Sequence, residues 1–216
     1  MRVIPALAVP VWRTLPWRTL GAAGAAGLLT AGLSRLPGAE PDSRLALGLL
    51  RGAALAGALG LAFLLDDPAR DGTTTVPTGR AARTALRVAL VAPVAALWWA
   101  AALLLVPGAH RPPAGAVTLE AGTACALALA AATVAVRHSD DPRPGRPAAT
   151  AVLVTALLAP LLLPSRWALF TGPEDPRWAA AHDRWAWLLA GAVTVGISSL
   201  GEPLGHPFRR TADQPT

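Results

Sequence analysis

Two ionisable residues stand inside long apolar runs: Arg51 in "LALGLLRGAALAGALGLAFLL" and Glu120 in "AGAVTLEAGTACALALAAATVAV". A charge in hydrocarbon is expensive, so each must snorkel to the interface, find a partner or face water. Three arrangements stay open: separate snorkelling, pairing with each other, or a polar spot on a solute path. One arginine and one carboxylate are too few to infer a proton relay. Trp98 and Trp99 also fall in mid-run, either as bulky packing and lipid contact or as a surface facing a substrate.

The polar islands between the apolar runs hold the remaining candidates. "DDPARDGTTTVPTGRAARTALR", residues 66–87, begins with Asp66 and Asp67 at the end of a helix, where carboxylates oppose the negative pole of the macrodipole. Something local or from elsewhere in the fold must offset that. Thr78 is placed to cap the next helix, and Arg70 lies in the loop between. Arg80, Arg83 and Arg87 follow at i, i+3, i+7, which puts them on one helical face. That face either contacts anionic headgroups or docks a cytoplasmic partner. A shorter island repeats the pattern, with Asp140 and Asp141 before Pro142 and with Arg143 and Arg146 behind.

Little else could do chemistry. A catalytic site needs converging groups, such as paired histidines with a carboxylate or a serine with its base. The apolar runs offer only Arg51, Glu120, Cys125 and scattered hydroxyls, including Ser198 and Ser199, so an enzyme is not expected. The four histidines (110, 138, 182 and 205) lie far apart in polar connections without metal-ligand spacing. A lone Cys125 excludes an intrachain disulfide and reads as an inert buried thiol. No G-x-x-x-x-G-K-[ST] phosphate loop is present, so neither cofactor nor bound nucleotide is expected.

The elements that must position these residues follow from composition. Of 216 residues, 53% are hydrophobic and 15% charged, against about 25% charged in a soluble domain. The apolar residues come in blocks rather than in alternation, and mean hydropathy is +0.45. An all-α, polytopic integral membrane protein is expected, a single transmembrane domain over residues 1–216. Six spans are predicted at about 18–34, 45–65, 88–107, 114–136, 148–164 and 185–201, with cytoplasmic loops at 66–87 and 137–147. The proline-broken first seventeen residues read as a short segment lying on the inner membrane surface.

Every basic side chain is arginine, and twelve of the nineteen fall on the termini and the 66–87 and 137–147 loops. That bias orients the chain N-in and C-in, in the cell membrane. The charge shows no nucleic-acid motif and marks topology and contact with membrane lipid.

The stretch "LAFLLDDPARDGTTTVPTGRAARTALRVALVAPVAALWWAAALLL", 61–105, resembles small six-span ABC-type exporter permeases of high-GC Gram-positive bacteria. The likeness rests on Asp66, Asp67, Pro68, Arg80, Arg83, Arg87, Trp98 and Trp99. It implies a membrane subunit that works with a separate cytoplasmic ATPase and a second permease chain. Closure of the ATPase would push on the 66–87 loop and move a solute outward. The alternative is a structural or regulatory membrane protein that transports nothing.

Overall fold

In a computed structural model the described residues are 9, 11–36, 42–66, 80–138, 143–164, 167 and 169–200, with Arg80 described in its backbone only. Asp67, Arg70, Thr78, Asp140 and Asp141 lie outside them. Six long helices account for most of the chain: α1 Trp17–Gly32, α2 Ser43–Ala62, α3 Arg80–Leu105, α4 Ala114–His138, α5 Gly145–Leu162 and α6 Trp178–Ser199. No strand occurs among the described residues. Each helix overlaps one predicted apolar run. The starts of α3 and α6 differ most, each about two turns earlier than its apolar run, and those turns of α6 carry His182, Asp183 and Arg184.

Local chemistry sets the ends. Asp42 caps α2, its Oδ1 accepting the Leu45 N–H at 2.6 Å, which satisfies a donor that the first turn leaves without a partner. Pro93 sits inside α3; it has no N–H to give, yet the 26-residue helix continues past it to Leu105.

Helices consecutive in the chain alternate in direction. Gly60 of α2 packs on Leu20 and Ala23 of α1, while Gly52 faces Thr30, so these two run antiparallel. Leu47 and Leu50 near the start of α2 cluster with Val117 near the start of α4, and Ala58 and Ala62 farther along cluster with Ala128 and Ala132, which places these two in the same direction. Glu120 meets His182 near the start of α4 and α6, and Arg137 meets Ser198 near their ends. The bundle therefore has a proximal end, holding the starts of α1, α3 and α5, and a distal end holding the starts of α2, α4 and α6.

Size is distributed opposite to that of a soluble core. Most buried apolar residues are alanines, on all the helices, whereas Leu29, Leu97, Leu161 and Trp187 are each more than 70% exposed. Small side chains let the backbones approach, and the large ones point outward. An apolar surface this broad is of the kind that a membrane or another chain covers. Among the described residues four helices (α2 with its following turn, α3, α4 and α5) are long and apolar enough to cross a membrane. At 16 residues α1 is shorter than that, and α6 begins with its charged turns.

Candidate functional site

The proximal end answers what Asp66 does. A 3₁₀ turn, Phe63–Leu65, closes α2 and leaves Asp66 extended. Its Oδ1 accepts the Gly145 N–H at 2.7 Å, so it caps the N-terminus of α5. The carboxylate that is unfavourable at the end of its own helix is favourable at the start of another. Gly145 permits the approach: an added Cβ would lie 2.8 Å from Asp66 Oδ1 and from the Phe63 Cα. Arg87 of α3 donates to the Leu64 and Asp66 carbonyls, both at 3.4 Å. Of the predicted docking face, Arg87 thus joins α3 to α2 internally. Arg83 is half-buried, and Arg143 and Arg146 are exposed at the start of α5.

Arginines close other helix ends as well. Arg35 donates to Leu104 and Leu105 at the end of α3, and Arg137 to Ser198 at the end of α6. Cations at carbonyl-rich C-termini are stabilising through both hydrogen bonding and the helix dipole.

At mid-bundle Trp98 of α3 wedges between α1 and α2. Its indole N–H donates to the Gly24 carbonyl at 2.8 Å. An added Cβ on Gly57 would meet the ring at 2.8 Å, and one on Gly27 would overlap it. Trp99 turns the other way and donates to Thr118 Oγ1 on α4 at 3.0 Å. Both tryptophans are packed and hydrogen-bonded. They also line an apolar cavity of about 560 Å³ between α1, α2, α3 and α4.

The distal end holds the charged residues of the apolar runs. Arg51 and Glu120 pair with each other: Nε donates to Oε2 at 2.6 Å and Nη2 to Oε1 at 2.7 Å. Glu120 is buried and Arg51 about one-fifth exposed. Nη2 also donates to the Thr171 carbonyl at 3.1 Å, and the Phe170 ring lies 5.5 Å from the guanidinium carbon. Trp185, buried on α6, holds this crossing segment by donating to the Leu169 carbonyl at 3.0 Å and packing edge-on against Phe170.

A third group joins the pair. His182 Nε2 lies 3.2 Å from Glu120 Oε1. Its Nδ1 is 2.8 Å from the Trp178 carbonyl; a carbonyl only accepts, so Nδ1 carries a hydrogen. Nε2 is buried without an aligned hydrogen bond, as is Thr171 Oγ1. The proximity is real but the bond is not made; Nε2 and Oε1 face each other as two acceptors unless a proton lies between them. Outside the triad a cavity of about 920 Å³ opens, lined by three arginines (44, 51 and 177), two carboxylates (Glu174 and Asp175), Leu47, Phe170 and Thr171 among others.

His182 thus corrects the expectation that the histidines sit in polar connections: it is on α6 and reaches Glu120. One signal in the sequence pointed to it. Trp178, His182 and Trp185 recur at i, i+4, i+7, one face of a helix that begins before the apolar run. Thr171 and Phe170 had no such signal, since their placement depends on how the 163–177 segment folds back. Among the described residues no group of three metal-ligating side chains forms.

Comparison of the chain with protein-family models, with curated proteins and with solved structures finds no match.

Proposed function

We propose that the chain crosses the cell membrane six times with both termini inside, and that it is the membrane subunit of an ATP-driven exporter working with a separate ATPase and a second permease chain. The alternating helix directions suit six crossings. The described proximal end carries Arg13, Arg18, Arg83, Arg87, Arg137, Arg143 and Arg146, as expected of a cytoplasmic face. The resemblance over residues 61–105 supplies the exporter class.

One observation carries transport rather than scaffolding: the buried Arg51–Glu120–His182 cluster beneath an open cavity. Ionisable groups at membrane depth are costly, and their usual place is on a solute path. The non-transporting alternative is favoured by the close alanine packing of α2 on α4 at the proximal side of the cluster.

Two experiments test this reading. Cys125→Ala with a single cysteine at Glu174 or at Arg146 is labelled in intact cells with an impermeant maleimide; Glu174 should react and Arg146 should not. The reverse pattern would reject the orientation. Purification should carry along an ATPase, and Arg80→Glu with Arg83→Glu should release it while Arg87 still holds α3 to α2. Binding that survives that charge reversal would remove the docking role.

A further inference from the structure

The triad has an unbalanced set of hydrogen-bonding groups. Arg51 uses Nε and Nη2, while Nη1 makes no hydrogen bond among the described residues. Thr171 Oγ1 is buried and unpartnered, and both residues line the distal cavity. On the far side of Glu120, His182 Nε2 is also unpartnered. Glu120 therefore stands between two groups, either of which can hold it.

Charge decides what can enter. With His182 neutral, Arg51 and Glu120 sum to zero. A lone anion on Arg51 would leave one negative charge beside the buried Glu120, and a lone proton on His182 one positive charge. Together they restore zero. Uncompensated charge is what such an environment penalises most.

We propose that the distal cluster binds an organic monocarboxylate together with one proton: the ligand takes the place of Glu120 on Arg51, and Glu120 turns to a protonated His182. No covalent bond changes; one proton moves from solvent to Nε2. The carboxylate is chosen because the guanidinium fork already holds one in the two-point geometry that suits it. The organic body is chosen because Phe170 and Leu47 form the apolar wall beside Arg51.

The charged surroundings of His182 are few. From α2 comes Arg51 and from α4 Glu120. On α6 itself are Asp183 and Arg184, the latter over Trp167. The crossing segment supplies Asp175 and Arg177, which pair with each other. Arg111, in the α3–α4 connection, donates to the Val106 carbonyl. Among the described residues only Glu120 stands in ion-pair contact with the imidazole.

The inference rests on reading the distal cavity as a solute site, and its test uses neither ATPase nor transport, so the two can fail separately. The full chain in lipid nanodiscs is titrated calorimetrically with benzoate, with benzamide as the uncharged control. Two buffers of different ionisation heat are used, between about pH 5 and pH 8, where imidazoles change charge. Benzoate should bind saturably with uptake of about one proton, weakening by up to about tenfold per unit rise in pH. Benzamide should not bind. His182→Gln should bind benzoate more weakly and without proton uptake, and Arg51→Gln should not bind it. Benzoate binding to the unaltered chain without proton uptake would overturn the linkage. No saturable binding by the unaltered chain, or equal binding of benzamide, would overturn the site. The stoichiometry of the unaltered chain decides even if both variants fail to fold.

Discussion

Both ends of the bundle hold charges on helix poles, Asp42 and Arg35 at the distal end included, but the distal end adds a cluster of charges that meet one another. At the proximal end Asp66 caps a helix N-terminus and Arg87 caps a C-terminus, so each charge meets the helix pole that suits it. At the distal end Arg51, Glu120 and His182 meet one another, and Nε2 of His182 and Oγ1 of Thr171 remain unpartnered. Charges on helix poles need nothing further and bind the fold together. Unpartnered polar atoms within a buried cluster are costly to the fold, and the ligand proposed for the distal end would satisfy them.

Breaking the distal pair gives the largest expected effect on stability. Glu120→Ala leaves Arg51 buried beside a neutral hole, and loss of one partner of a buried pair costs about 3–5 kcal/mol. Thermal unfolding in detergent should show the loss for Glu120→Ala and for Arg51→Ala. Replacing both together, Arg51→Met with Glu120→Leu, should recover most of it, because the pair itself adds little beyond an apolar contact. A double variant as unstable as the sum of the singles would mean that the pair holds the fold, and the contrast between the two ends would disappear.

The Trp98 wedge, uncharged and lying between the ends, gives a reference for pure packing. Gly57→Ala places a methyl group 2.8 Å from the indole ring, and overpacking of this kind costs about 1–3 kcal/mol. Trp98→Ala in the same chain should relieve the clash, so that Gly57→Ala is less harmful there than in the unaltered chain. Equal harm in both backgrounds would show that Gly57 is needed for something other than the approach of Trp98.

Asp66 should have a smaller effect. Asp66→Asn keeps an acceptor for the Gly145 N–H but removes the charge from the start of α5, and Asp66→Ala removes both. Cap losses run about 0.5–2 kcal/mol, with Asn expected near the lower limit and Ala near the upper. Solute binding should be unchanged in each. An effect of Asp66→Asn on ligand affinity would blur the distinction between a structural end and a binding end.

How much of this was legible depended on the range of the interaction. The helices were, because each is a block of Ala, Leu and Gly whose length is set within the block. The depth of Arg51 and Glu120 was also readable, since both lie inside such blocks. Their pairing was one of three open arrangements, because 69 residues separate them and only helix packing sets the register. Asp66 was recognisable as a carboxylate at the wrong pole, but not its partner Gly145, 79 residues away. His182 was placed in a connection because the apolar run begins after it, whereas α6 starts at Trp178. Arg87 illustrates the reverse error: three arginines on one face read as a surface, and one of them turns inward to carbonyl oxygens.

The smallest expected effect lies at the rim of the distal cavity, where Asp175 and Arg177 pair in solvent at 3.1 Å. The Arg177 side chain and then its backbone N–H hold the Asp175 carboxyl below its ordinary range. A carboxylate whose folded-state value is depressed contributes stability that is present above its unfolded value and lost as pH falls through the folded one. Unfolding measured from neutral pH down into the acid range should therefore show a slight loss confined to the region below ordinary carboxylate titration, and Asp175→Asn should abolish it. The pair is exposed and screened, so its loss should leave the unfolding temperature at neutral pH almost unchanged. If Asp175→Asn instead weakened the fold as much as Glu120→Ala does, burial would not be what distinguishes the charges of the distal cluster, and the rim pair would have to be counted within it.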